Sequence, residues 1–390
     1  MSRLLAHGMG TEPVDPDWPP LTEAEVAEVL SRYPVGEGRD ARDVSDGADG
    51  ADSDDGAAPR ILWRSPRPLS AAALVARERI LFVKRHHSSV RTVAGLAEEH
   101  GFLRHLRDRG APVVQVLTTT DGASAVALGE WVYEVHTAGT GTDLYQDALS
   151  WSAFTSPGHA RAAGVALGRL HLASAGYLAP RRRVQPLVSS FTVFASADPV
   201  RELERYGAER PSLAEALADR PWREDVDRVH LPFHRRLAPL LGSLEPLWTH
   251  NDWHASNLLW DTTGPQDEVS TVLDFGLSDR TTAIHDLATA IERNTVQWLQ
   301  PSFPVQWEHL EALLDGYTSV RPLTAAESTA LPLLLPLVHA EFALSEMGYF
   351  HGVTGSAENT ALAYEYFVGH AEWFASPDGA KLLEQVGRLA

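Results

Sequence analysis

The chain has 390 residues, a hydrophobic fraction of 44% and no cysteine, so it can build two domains or lobes but no disulfide, thiolate metal site or cysteine nucleophile. Its 33 basic and 52 acidic residues give a net charge of −19, which argues against nucleic acid or another polyanion as a partner. No secretory signal and no membrane-length apolar run is visible, so we expect a cytoplasmic protein without a membrane or an obligate protein partner.

The first third of the chain has the pattern of strands with two helices. A Thr22–Glu25 capping box predicts a short helix over 22–33. The acidic, glycine-rich segment 36–59 has too little apolar surface to fold and is predicted to be a disordered loop. Period-two apolar runs and turn residues predict strands over 60–63, 71–76, 79–84, 113–117 and 125–135, with a helix over 93–109.

After His136 the apolar residues recur at helical spacing. Helices are predicted over 158–175, 197–206, 211–219, 230–241, 285–300, 307–316, 324–350 and 357–374. The sequence therefore predicts an α+β protein with a small antiparallel-sheet lobe over 1–135 and a larger helical lobe over 136–390.

Two short segments carry the chemistry of phosphoryl transfer. That reaction needs a carboxylate to orient a hydroxyl and take its proton, and oxygen ligands for Mg²⁺. Asp252 and Asn257 are five positions apart, which suits one tight loop. The apolar runs 258–260 and 269–273 flank a glycine-containing turn and predict a hairpin, which would return Asp274 to the side of Asn257.

These residues resemble the aminoglycoside phosphotransferase and choline kinase superfamily. The family loop His-x-Asp-x-x-x-x-Asn is matched by His250, Asp252 and Asn257, and its Asp-Phe-Gly element by residues 274–276. Asp286-Leu-Ala is similar to the Asp-Leu-Ala that often follows. The resemblance implies a protein-kinase-like two-lobe fold, with Asp252 as catalytic base, Asn257 and Asp274 as Mg²⁺ ligands and His250 as a structural support.

The same resemblance implies where ATP or GTP would bind. Lys84, on the third predicted strand, corresponds to the lysine that contacts the nucleotide phosphates together with a helix glutamate. Glu99 is favoured over Glu98 by its spacing to the apolar residues and glycine that end the helix. The backbone of the hinge from Glu134 to His136 is expected to bond the adenine edge.

The pattern favours a small hydroxylated molecule as the phosphate acceptor, with an amine-bearing antibiotic or metabolite as a candidate. Unlike protein kinases, the chain has a long crossing from His136 to His250, no arginine before Asp252 and no Ala-Pro-Glu segment. Side chains of the late helices are candidates to line the acceptor pocket, although a solvated helix face is favoured for any one of them: Glu341, Glu346, Tyr349, His351 and Glu358. A non-catalytic nucleotide-binding scaffold and, less favoured, a protein kinase stay open as alternatives.

Overall fold

The computed structural model of the chain describes residues 6, 7, 9, 12–34, 58–149 and 151–390. The acidic segment predicted as a disordered loop over 36–59 lies outside them, apart from its last two residues. The chain divides into two compact units, residues 1–104 with 113–139 and residues 105–112 with 140–390. The division into lobes at 135/136 stays a prediction.

The described residues form strands and helices, and each kind is numbered in chain order. The strands are β1 (Ala6–His7), β2 (Pro13–Val14), β3 (Arg60–Arg64), β4 (Ala71–Ala76), β5 (Ile80–His87), β6 (Val126–Leu128), β7 (Trp131–Thr137), β8 (Pro246–Thr249), β9 (Leu258–Asp261), β10 (Glu268–Val272) and β11 (Asp279–Thr282). The helices are α1 (Glu23–Leu30), α2 (Val93–Asp108), α3 (Pro157–Ser174), α4 (Pro199–Ala208), α5 (Pro211–Leu217), α6 (Trp222–Asp225), α7 (Leu231–Leu237), α8 (Ala283–Thr295), α9 (Trp307–Val320), α10 (Ala325–Leu334), α11 (Ala340–Tyr349), α12 (Ala357–Phe374) and α13 (Pro377–Leu389).

The first unit is built on an antiparallel sheet in the order β3-β4-β5-β7-β6. Because successive side chains of a strand point to opposite faces, each strand contributes side chains to both faces of the sheet. One face carries the apolar core that α1 covers, which includes Val26, Val29, Ala73, Val75, Leu81, Val83, Tyr133 and Val135. A smaller cluster from Leu96 of α2, Ala125 and Val132 lies on the other face.

The register of β5 against β7 decides which polar side chains share that second face. Lys84 pairs with Glu134, and Phe82 pairs with His136. Directly paired residues of an antiparallel sheet project to the same side. Lys84, Glu134 and His136 therefore project from the face that carries α2.

The second unit contains two small antiparallel pairs, β8 with β11 and β9 with β10. Thr249 pairs with Asp279, and Leu258 pairs with Val272. The segments 250–257 and 273–278 are therefore held together at both ends, so the fold makes them run side by side. The predicted hairpin over 258–260 and 269–273 is the β9–β10 pair.

Helices α3 and α9 of the second unit pack with their backbones in close approach. A Cβ atom at Gly164 would lie 2.1 Å from the carbonyl oxygen of Leu313, and one at Gly316 would lie 2.1 Å from that of Arg161. Both distances are far below van der Waals contact, so glycine is required at each position.

Three predicted elements differ from the structure. Gly129 adopts a φ of 60° between Leu128 and Trp131, so the predicted strand 125–135 is the β6–β7 hairpin. The predicted strand 113–117 forms isolated bridges rather than a strand, and one of them joins Val116 to His136 of β7. The predicted helix 324–350 is divided into α10 and α11 because Pro336 has no N–H to donate to the carbonyl of Pro332, although Leu335 before it keeps helical backbone.

The predicted α+β class, with a small antiparallel sheet followed by many helices, is confirmed. Among the residues that the structure describes, no helix has both the length and the apolar character needed to cross a membrane.

Gly316→Ala should lower the free energy of unfolding by about 1–3 kcal/mol, because the added methyl group forces α3 and α9 apart. The matched control is Gly207→Ala in α4, where a Cβ would meet nothing within 4 Å. That variant should be neutral or more stable by up to about 1 kcal/mol, since alanine favours the helix. Urea unfolding of both variants measures the difference, and equal stabilities would contradict the close approach.

Candidate active site

The carboxylate of Asp286, in the first turn of α8, holds the loop that follows β8. Its two oxygens accept hydrogen bonds from the backbone N–H groups of His250 and Asn251, each at 2.8 Å. The ring of His171 on α3 lies 3.0 Å away through Nε2, and its Nδ1 lies 2.8 Å from the hydroxyl of Tyr317 on α9. Burial raises the pKa of Asp286, but the hydrogen bond and charge of His171 together with those of His250 outweigh it, so the pKa lies below its usual range. Two helices therefore hold one carboxylate, and that carboxylate holds the loop.

Asn251 turns the chain at this point. It adopts a left-handed backbone conformation with a φ of 60°, which asparagine tolerates better than most residues. Its side chain donates to the carbonyl of Ser189 at 3.1 Å and accepts from the hydroxyl of Thr249 at 2.8 Å. The sharp turn projects the next side chain, Asp252, away from the packed interior.

The structure brings Asp252 and Asn257 together as the spacing predicts. Nδ2 of Asn257 donates to Oδ2 of Asp252 and to its backbone carbonyl, both at 3.0 Å. The side chain of Asp252 keeps 15% of its surface exposed, so a substrate group can reach it. The predicted catalytic loop is thus one compact turn closed by its own side chains.

Arg293 is part of this site, and the sequence analysis did not identify it. Its guanidinium hydrogen-bonds and ion-pairs with Oδ1 of Asp252, and it lies 4.4 Å from the ring centroid of Trp151. Burial raises the pKa of Asp252, but the charge of Arg293 outweighs it together with the charges of His254 and His250, so the pKa lies well below its usual range. The sequence signal that could have indicated Arg293 is its spacing from Asp286. The two residues are seven positions apart on α8, which places them on the same helix face.

His250 joins the catalytic loop to the segment that carries Asp274. Its Nδ1 accepts from the backbone N–H of Asp252 at 3.2 Å, and its Nε2 donates to the carbonyl of Leu273 at 2.8 Å. The N–H of Leu273 in turn donates to the carbonyl of Asn257 at 2.8 Å. Asp274 follows directly, with a φ of 51°, and its Oδ1 accepts from the N–H of Gly276 at 3.2 Å.

The donors at this place suit magnesium. Asn257 uses its Nδ2 for Asp252, which leaves Oδ1 as a possible ligand, and Asp274 supplies a carboxylate. Magnesium prefers such hard oxygen ligands, one or two from the protein and the others from phosphates and water.

The late-helix residues named as candidates for the acceptor pocket differ in burial and in their hydrogen-bond partners. Glu341 is saturated by the protein: it accepts from the hydroxyl groups of Ser190 and Thr192 and from the N–H groups of Thr192 and Val193, at 2.6–2.9 Å. Tyr349 is fully buried, and His351 and Glu358 are exposed. Glu346 is buried within the electrostatic reach of Asp252. Burial raises its pKa to about 8 although Arg293 opposes the rise.

The first unit holds the residues predicted to contact the nucleotide. Lys84 lies on β5, and Glu99 on α2 is 4% exposed. Glu134 and His136 lie within β7 rather than beyond its end. The carboxylate of Glu134 is buried among imidazole rings, of which that of His136 is one. Burial raises its pKa, but the charge of His136 and the hydrogen bonds from these rings hold it well below its usual range. The nucleotide roles of all four residues stay predictions.

The chain matches known proteins in family, sequence and fold. A family model described as "Phosphotransferase enzyme family" matches residues 72–323. Homoserine kinase of Rhodospirillum rubrum is 28% identical over 251 residues, which cover 63% of this chain and 67% of that protein. Homoserine kinase of Brucella anthropi is also 28% identical over 251 residues, covering 63% of this chain and 66% of the relative. The match therefore spans about two thirds of these relatives.

Among solved structures, an amicoumacin kinase in complex with AMP-PNP and Ca²⁺ has a TM-score of 0.53 and 17% sequence identity. The match covers 80% of this chain and 88% of that protein. At this identity the likeness shows a shared fold.

Asp286→Ala should lower the free energy of unfolding by about 3 kcal/mol or more, because two buried N–H groups lose their acceptor. Urea unfolding at neutral pH measures the change. The control is Asp261→Ala on the β9–β10 hairpin, where the exposed carboxylate accepts only from Thr263 and the loss should stay within about 0.5 kcal/mol. Similar losses in the two variants would contradict the anchoring role of Asp286.

Glu346→Gln should change the pH dependence of stability. Because the pKa of Glu346 rises from an ordinary 4.5 to about 8 on folding, its contribution is complete below pH 4.5 and is lost as the pH rises through 8. Wild type should therefore lose stability relative to the variant by up to about 1.4 kcal/mol per pH unit between these limits. Unfolding at pH 5, 7 and 9 tests this.

The control for that experiment is Asp261→Asn. The hydrogen bonds from Thr263 lower the pKa of Asp261, so it titrates below this range and its variant should follow the wild-type curve. A constant difference between wild type and Glu346→Gln from pH 5 to 9 would show that Glu346 titrates normally.

Proposed function

The chain belongs to the phosphotransferase enzyme family and is a small-molecule kinase, and we propose that it transfers the γ-phosphate of ATP to a hydroxyl of an amine-bearing molecule, with Asp252 as the base. The assignment of roles to these residues rests on two loop segments that the fold holds side by side. Segments 250–257 and 273–278 are tied at both ends by strand pairs and in the middle by His250. This arrangement presents Asp252, Asn257 and Asp274 from neighbouring turns.

Asp252 is placed to orient a hydroxyl group and accept its proton. Arg293 and Asn257 hold the carboxylate anionic and fix its two oxygens in direction. Such a carboxylate is a weak base, which suits phosphoryl transfer because its loose transition state depends mainly on positioning and charge. The hydroxyl of the acceptor must approach the exposed edge of Asp252. Its proton passes to that carboxylate as its oxygen bonds the γ-phosphorus and the bond from that phosphorus to the β,γ-bridging oxygen breaks, which releases ADP.

Asn257 and Asp274 are the proposed holders of Mg²⁺. The ion, when bound, would neutralise negative charge on the nucleotide phosphates. Lys84 is assigned to the nucleotide phosphates and Glu99 to the support of that lysine, as the family resemblance implies. The backbone of Glu134 to His136 stays our assignment for the nucleobase.

The acceptor is proposed to carry both a hydroxyl group and an amine. The two curated relatives reported above are homoserine kinases, and homoserine is a hydroxylated amino acid. In this chain, Arg293 and Glu346 supply a cation and a carboxyl group close to Asp252. Hydroxylated amino acids are therefore the first class of acceptors to examine, and amine-bearing antibiotics the second.

A non-catalytic scaffold is the less favoured alternative. A scaffold has no need of a carboxylate kept anionic at the edge of the metal-binding turn, and Asp252 is such a group. The protein-kinase alternative is not favoured by the small-molecule substrates named in the relatives.

Asp252→Asn should lower kcat roughly 10²- to 10⁴-fold, because the amide cannot take the hydroxyl proton. The assay measures ADP release and phosphorylated product with ATP and Mg²⁺ across homoserine, other hydroxylated amino acids, amino alcohols, aminoglycosides and sugars. Nucleotide binding by the variant should stay within a few-fold of wild type, since the phosphate-binding residues are intact.

The control is Asp261→Asn, which changes an exposed carboxylate of the adjacent hairpin and should keep full activity. If wild type bound the nucleotide but phosphorylated no acceptor, the scaffold reading would be correct. Full activity in Asp252→Asn would remove Asp252 from the reaction.

A further inference from the structure

Three histidines surround one buried carboxylate in the first unit. Nε2 of His100 and Nε2 of His136 lie 2.7 Å and 2.9 Å from the same oxygen of Glu134, Oε2. Nε2 of His86 lies 2.9 Å from the other oxygen, Oε1. Glu134 and His100 are each 1% exposed, so this group is almost dry.

The fold converges these side chains from three elements. Glu134 and His136 are two positions apart on β7 and project to the same face, while His86 lies on the neighbouring strand β5. His100 comes from α2, which covers that face. The ligand atoms of His100, Glu134 and His136 all lie within 4.8 Å of one another. No role in phosphoryl transfer requires two imidazoles to meet there.

We propose that His100, Glu134 and His136 form a binding site for a divalent transition-metal ion, with Zn²⁺ as its natural probe. Imidazole nitrogens and a carboxylate oxygen are the usual donors for such ions, and the absence of cysteine leaves them as the available soft-to-borderline ligands. The rings of His100 and His136 are 82° apart with centroids separated by 5.9 Å. Two imidazoles that share one ion at about 2.1 Å have centroids roughly 5–6 Å apart.

The surrounding contacts prepare the ligands. Nδ1 of His100 lies 2.8 Å from the hydroxyl of Ser124, so the hydrogen of this ring can stay on Nδ1 and the lone pair on Nε2 can face the ion. His86 donates to Oε1 and turns Oε2 of Glu134 toward the two ligand histidines. The open fourth position would take water. Lys84 projects from the same face, so we expect weaker binding than at a closed four-ligand zinc site.

A second set of donors, Glu292, His339 and His370 in the helical unit, is a useful contrast. The rings of His339 and His370 are stacked, with centroids 4.1 Å apart and an angle of 24°. Lone pairs lie in the ring plane, so those of stacked rings run nearly parallel and do not converge on one ion. The guanidinium of Arg293 lines the same small cavity as His339 and opposes a cation. The site is therefore assigned to the first unit.

The test is zinc binding by the untagged full-length protein. After treatment with chelator and dialysis, titration with ZnCl₂ should saturate near one equivalent by metal analysis and calorimetry, and Zn²⁺ should raise the melting temperature. His100→Ala with His136→Ala should abolish binding, whereas His339→Ala should retain it. Ser124→Ala keeps all three ligands and should weaken binding roughly 10- to 100-fold, because it removes only the partner of Nδ1.

Each outcome decides the proposal without a kinase assay. Wild-type protein that binds no zinc above a tenth of an equivalent would show a hydrogen-bonded network and overturn the site. Loss of zinc in His339→Ala, with retention in the first-unit variants, would move it to the helical unit. If the double variant is unfolded, the wild-type stoichiometry and the Ser124→Ala affinity still decide.

Discussion

The buried carboxylate of Asp286 is the group on which the loop 250–257 depends. It accepts from two consecutive backbone N–H groups, of His250 and Asn251, at the point where Asn251 takes a left-handed conformation. Without these two bonds the turn would lose the interactions that offset its strain. Since Asp286 lies in the first turn of α8 and is bonded to His171 on α3, the packing of these helices fixes the backbone of the residue that precedes Asp252.

Arg293 lowers the pKa of two carboxyl groups, and the result differs with their contact to the guanidinium. Asp252 is in direct contact with the guanidinium and has a lowered pKa. Glu346 is buried without such a contact, so burial dominates and its pKa is raised. Direct contact with the cation thus keeps one carboxyl group ionised, while burial without that contact favours the neutral form of the other. Glu134 in the first unit is another buried carboxylate, and there imidazole rings take the part of the guanidinium.

Much of the fold could be predicted from local patterns. The strands over 60–63 and 71–76 and the helix over 357–374 agree with β3, β4 and α12, because alternation and helical periodicity report directly on buried faces. The predicted bounds are wrong where a long apolar run contains a glycine or proline that breaks the strand or helix. Gly129 was passed over within 125–135, and Pro336 within 324–350, although each signals a break. The helix α13 was missed.

For the site, the sequence by itself predicted the loop 250–257 and the hairpin behind it and indicated the family. Asp252, Asn257 and Asp274 are close in the chain, so spacing and turn signals suffice to bring them together. Only the tertiary structure decided that Arg293 meets Asp252, 41 positions away, and that His100 meets Glu134, 34 positions away. The physical reason is that such partners are chosen by helix packing and strand register, which depend on the whole core, while a tight loop depends on its own few residues.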